Sequence, residues 1–131
     1  MIRIHRDIVD EIVRHAERDA PLEACGYLAS DGEAYVGVVP MRNADQSPEH
    51  FSFDPAEQFA AVKRAREKGW RLSAVYHSHP ASPARLSAED LRLANDPDAV
   101  YLVYSILEGK LKAFSVDRGK NAAEISIEVV R

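Results

Sequence analysis

Cysteine occurs once in the 131 residues, at Cys25. No intrachain disulfide is possible, and any metal site must rest on histidine and carboxylate rather than on paired thiolates. The zinc site of the nucleobase deaminases, which needs Pro-Cys-x-x-Cys, is excluded on that count. His-Glu-x-x-His is missing as well, so the helical ligand pair of another zinc-protease class is absent. No run of about 18 apolar residues occurs. The N-terminal stretch MIRIHRDIVDEIVRHAERDA carries charges too often for a secretory leader. A cytoplasmic protein with no membrane partner is the expectation. A net charge of -4 with basic residues scattered along the chain argues against a nucleic-acid partner.

What is present suits one globular domain over residues 1–131: 46% hydrophobic and 29% charged residues allow a core without staples. Between His5 and Ala20, Ile8, Val9, Ile12, Val13 and Ala16 recur at helical spacing, and Pro21 stops the pattern. EACGYLAS and AYVGVVPM read as strands joined by a turn at Asp31-Gly32. The polar segment RNADQSPEHF reads as a loop. Asp54 as N-cap and Pro55 at the first position open a second helix, with Phe59, Val62 and Ala65 or Arg66 along one face and Gly69 as its stop. RLSAVYHSH is a strand ended by Pro80, and Ser87 opens a short third helix that Pro97 cannot join. Three further β-prone runs follow, AVYLVYSIL, KLKAFSVD and AEISIEVVR. The whole is an α/β chain of α+β-like character, with a mixed, largely antiparallel sheet flanked by about three helices.

His77 and His79 are two apart in a strand, so their imidazoles project to one side while Ser78 projects away. Asp90 is the third residue after Ser87, in the first turn of the third helix. Two histidines and one aspartate make three N/O ligands, the number that leaves one position of a tetrahedral zinc site open. Ser87 to Asp90 also fits a capping box, and the two roles are expected to compete for Asp90. His-x-His, seven residues, then Ser-x-x-Asp has a chance probability on the order of 10⁻⁴ in a chain of this length.

The line HSHP at 77–80 and SAED at 87–90, with PLEACGYL upstream at 21–28, resembles the metal-binding signature of the JAMM/MPN+ metalloproteases: a glutamate, then H-[ST]-H-P, then S-x-x-D. The order of elements is similar along nearly the whole chain. The resemblance implies a cytidine-deaminase-like MPN fold of the stand-alone prokaryotic type, with Zn2+ held by His77, His79 and Asp90. It assigns the proton-transferring base to Glu23 and an oxyanion-stabilising hydroxyl to Ser87. It further implies hydrolysis of the amide bond after the C-terminal Gly-Gly of a ubiquitin-like protein, a sulfur-carrier adduct in particular. The alternative is a non-catalytic MPN-type protein-interaction module of the same fold; such relatives typically lack one or more of these positions, all of which are filled here. Cys25 reads as a small buried hydrophobe. His5, His15 and His50 read as surface or hydrogen-bonded residues, Arg85 as a solvated loop arginine, and Asn43 as a residue that holds a loop.

Overall fold

The computed structural model describes residues 1–131. Its elements are β1 (Ile2–His5), α1 (Arg6–Asp19), β2 (Cys25–Ser30), β3 (Tyr35–Met41), α2 (Pro55–Glu67), β4 (Arg71–His79), α3 (Ala88–Leu93), β5 (Val100–Ser105), β6 (Lys110–Val116), β7 (Ala122–Ile125) and β8 (Ile127–Val130). All eight strands share one sheet in the order β7-β6-β5-β4-β2-β3-β1-β8. The pairs β2/β3, β2/β4, β5/β6 and β6/β7 are antiparallel, while β4/β5, β1/β3 and β1/β8 are parallel. The expected mixed sheet with three helices is the architecture found.

Two differences lie at or next to the edges of the sheet. Ile2–His5 is a strand, although four residues in front of a helix carry too little pattern to announce one. AEISIEVVR breaks at Ser126 into β7 and β8, which occupy opposite edges. One residue joins the two outer strands, so the sheet must curl until its edges meet at that corner. The Ile2 N–H donates to the Ser126 carbonyl at 2.9 Å and ties the corner to β1.

Successive strand residues face opposite sides, and each face has its own helix. On one side α1 buries Ile8 and Ile12 against Ile4, Leu28, Tyr35, Tyr76 and Leu102. Each fully buried Ile or Leu there contributes about 1.5–3 kcal/mol. Gly26 is required by this core, because a Cβ there would meet the Tyr76 ring and the Val39 carbonyl at 2.6 Å.

On the other side α2 lies over Cys25 and Met41. Asp54 caps it, its carboxylate accepting from the Glu57 N–H at 3.1 Å, and Gly69 ends it with φ of 72°. Of the face expected to be Phe59, Val62 and Ala65 or Arg66, only Ala65 is buried. Ala61 and Ala65 are the buried residues of α2, whereas Phe59 is 74% exposed and Val62 39%. Ala61 packs with Cys25 and Met41, so small side chains form the inward face of the helix. No helix is long and apolar enough to cross a membrane.

Candidate metal centre

β4 lies in the middle of the sheet, with His77 in register with Cys25 of β2 and Val103 of β5. That register places His77, and by two-residue periodicity His79, on the α2 side. α3 follows the lip 80–86 and brings Asp90 over the end of β4. The result is a triangle. His77 Nε2, His79 Nε2 and Asp90 Oδ2 lie 3.1 Å from one another in all three pairs. Ligands at about 2.0–2.1 Å around a tetrahedral zinc-sized ion stand roughly 3.3 Å apart, so the spacing fits such an ion.

The protonation pattern supports the fit. His79 Nδ1–H donates to the Pro83 carbonyl at 3.0 Å, which leaves a lone pair on Nε2. That lone pair faces a carboxylate oxygen and a second imidazole nitrogen. Three electron-rich atoms at this distance need a proton or a cation among them, and together they are a group able to hold a metal ion. Burial pushes the Asp90 carboxyl up, but its hydrogen bonds with His77 and His79, the His77 charge and the Ser87 N–H outweigh it and hold the group well below the usual carboxylate range. Burial pushes the His79 imidazole down. Its hydrogen bonds to Asp90 and the Pro83 carbonyl reverse that and raise it above its ordinary value.

The capping box and the triangle do not compete. Asp90 Oδ2 accepts from the Ser87 N–H at 2.9 Å and is the same oxygen that faces the histidines. Ser87 Oγ accepts from the Asp90 N–H at 3.1 Å, so its own hydrogen stays available. Ser87, Arg85, Pro83 and His79 line an open cleft of about 480 Å³. Arg85 is exposed there and belongs to the cleft wall.

Glu23 is not in a strand, because β2 begins at Cys25. It is nevertheless only 2% exposed, and its Oε1 has no hydrogen-bond partner in the protein. Burial raises its pKa to about 8, with the His79 charge pulling it down and the Asp90 charge adding to the rise. A buried carboxylate oxygen without a partner is costly unless something else occupies it. Its backbone is clamped on both sides. Ser78 Oγ accepts from the Ala24 N–H at 2.7 Å, and the Ser78 N–H donates to the Ala24 carbonyl at 2.9 Å. Asn43 Nδ2 donates to the Glu23 carbonyl at 3.1 Å and to the carbonyls of Ser47 and His50. Asn43 therefore holds a loop, as expected, and Ser78 ties β4 to the Glu23 segment.

The chain at residues 5–117 matches the family described as prokaryotic homologs of the JAB domain. It is 42% identical over 105 residues to the CysO-cysteine peptidase of Mycobacterium tuberculosis, covering 78% of this chain and 71% of that one. It is 32% identical over 130 residues to a desampylase of Haloferax volcanii, covering 94% and 92% respectively. A Desulfitobacterium hafniense protein, known from its solution structure, is 43% identical with a TM-score of 0.90, covering 99% of this chain and 93% of that one. The fold is also that of a JAB1/MPN domain protein from Archaeoglobus fulgidus, at TM-score 0.70, 19% identity and coverage of 98% and 97%.

The chain belongs to the prokaryotic JAB family. It is an enzyme of the JAMM peptidase type.

Within this JAB-type site, several supporting residues are invisible in the HSHP and SAED pattern. Ser105 Oγ donates to the Ser82 carbonyl at 2.7 Å, and Glu108 Oε1 accepts from the Ala84 N–H at 2.8 Å. The turn after β5 thus holds the lip whose Pro83 carbonyl fixes the His79 tautomer. Phe51 stacks on His77, ring centroids 4.8 Å apart at 28°. These residues come from distant segments, and no local spacing marks them.

The remaining histidines stay out of the site. His15 Nε2–H donates to Asp19 at 3.0 Å, and Nδ1 accepts from the Tyr76 hydroxyl at 2.7 Å. His50 pairs with Asp45 at 2.9 Å. Cys25 is fully buried, and burial pushes its thiol up to about 12, so it is no nucleophile at neutral pH.

Proposed function

We propose that this protein is a zinc-dependent hydrolase that cuts the amide bond after the C-terminal Gly-Gly of a ubiquitin-like sulfur-carrier protein in the cytoplasm. The observation that carries the reading is the three-atom ligand triangle beside a buried, unpartnered carboxylate oxygen. The names of the relatives, a CysO-cysteine peptidase and a desampylase, support the substrate class.

His77, His79 and Asp90 hold the ion, a mixed nitrogen and oxygen set that suits zinc. Zinc supplies Lewis acidity, lowering the pKa of water from 15.7 toward about 7 and drawing charge from a carbonyl oxygen. Glu23 does the proton work. Its Oε1 takes a proton from the attacking water and passes it to the leaving amine nitrogen. A carbon–oxygen bond forms, the carbon–nitrogen bond breaks, and the products are the glycine carboxylate and the free amine. Ser87 Oγ, whose lone pair is engaged by the Asp90 N–H, presents its hydrogen to the carbonyl oxygen as charge builds there. The open cleft beside Ser87 admits a narrow tail, and Gly-Gly is the narrowest.

The test is a zinc-loaded protein offered a Gly-Gly-ended sulfur carrier joined through its last glycine to cysteine or to a lysine ε-amine. Mass spectrometry should show the intact carrier and the free amine, with no reaction by Asp90→Ala. A wild-type protein holding one zinc per chain yet inert on both adducts would overturn the proposal.

A further inference from the structure

The third ligand of the triangle rides on a helix that the core does not hold. α3 is six residues long and buries none of them. Its first turn is tied by the capping box and by the histidines. Its last turn needs another tether, because helix-terminal carbonyls have no partners within the helix. One side chain from the turn between β6 and β7 supplies it. Lys120 Nζ donates to the Arg92 carbonyl at 3.3 Å, the Ala94 carbonyl at 2.7 Å and Asn95 Oδ1 at 2.8 Å. Each of the three ammonium hydrogens has an acceptor. The charge also has the sign that a helix C-terminus favours.

The turn that aims Lys120 is itself braced. Lys120 takes a φ of 64°, in the left-handed region that residues other than glycine rarely enter. Its N–H donates to the Asp117 carbonyl at 3.0 Å, and Asp117 Oδ1 accepts from the Asn121 N–H at 2.8 Å. The ammonium therefore leaves a fixed backbone.

We infer that Lys120 is a positioning residue for the metal centre, which locks the C-terminal end of α3 so that Asp90 Oδ2 stays in the ligand triangle. Lys120 reaches Asp90 through α3, its ammonium bonding to Arg92, Ala94 and Asn95 rather than to any atom of the triangle. The inference rests on the metal reading above. It concerns how firmly the ligand set is held before the ion arrives. Outer partners that orient ligands commonly contribute 10–100-fold to metal affinity.

The variants are Lys120→Met, which keeps the stem and removes the donors, and Lys120→Arg, which keeps the cation. Zinc dissociation constants come from competition with a chromophoric chelator, and α3 rigidity from hydrogen exchange at the Leu91 and Ala94 amides of the metal-free protein. Lys120→Met should weaken zinc binding about tenfold or more, speed exchange in α3 and leave exchange in the α1 and β4 core unchanged. Lys120→Arg should lose less in both measurements. Zinc affinity in Lys120→Met equal to that of wild type overturns the positioning role, whatever α3 exchange does. A wild-type protein that takes up no zinc rejects the metal reading itself, and the positioning role with it.

Discussion

Glu23 is held where an ionised carboxylate is unwelcome, and its two properties pull in opposite directions. Its raised pKa of about 8 means that the metal-free folded chain prefers the protonated form. A folded pKa above the unfolded value of 4.5 contributes stability below that value, which is lost as pH rises through about 8. Glu23→Gln should therefore make metal-free protein more resistant to urea than wild type at pH 8 and above, with the advantage shrinking toward pH 5. In the zinc-loaded protein the same change should lower kcat by about 10²–10⁴-fold, the usual reach of a general base, with zinc affinity retained. A Glu23→Gln enzyme as fast as wild type would remove the proton role. HSHP and SAED made the histidines and Asp90 legible at this scale. That one Asp90 oxygen serves both the cap and the triangle was not legible, because sequence spacing shows which residues meet and not which atoms.

At the scale of elements, α2 shows how a helical stripe can mislead. Phe59 and Val62 are the larger apolar residues, so a hydrophobicity pattern selects them, yet Ala61 at 0% exposure faces Cys25 and Met41. Phe59→Ser should leave stability within about 0.5 kcal/mol of wild type. Ala61→Leu forces a larger side chain into a closed contact and should cost about 1–3 kcal/mol in denaturant unfolding. α1 was read correctly because Ile8 and Ile12 are both large and inward. The clamp between β4 and the Glu23 segment offers a further case. Ser78→Ala removes the acceptor of the Ala24 N–H and should cost about 1–3 kcal/mol. It should also slow turnover, since Glu23 is adjacent.

For the molecule as a whole, metal and proton linkage make separable statements. Zinc at a hundred times its dissociation constant should stabilise the fold by about 2.7 kcal/mol, a rise of roughly 10 °C in the melting temperature of a chain this size. A chelator should reverse the rise, and Asp90→Ala should show none in calorimetry. Acid also acts away from the site. Burial lowers the pKa of His15 from 6.5, against the raising effect of Asp19. A lowered folded pKa gives stability that is present above 6.5 and lost as pH falls below it. The acid slope of unfolding free energy should be shallower in His15→Gln.

The sequence alone determined which side chains could form the site: two histidines and an aspartate able to hold a metal ion, the acid that the family resemblance sets beside them, and strands and helices that alternate as they do. Those features are local, written in spacings of two, three and eleven residues, and strand and helix geometry converts such spacings into directions. Only the tertiary structure decided the rest. The curl that brings the edge strands β7 and β8 together, the inward turn of Ala61, the lip held by Ser105 and Glu108, and the reach of Lys120 to α3 each join segments far apart in the chain. Such contacts depend on how the whole sheet packs, and no short window of residues encodes them.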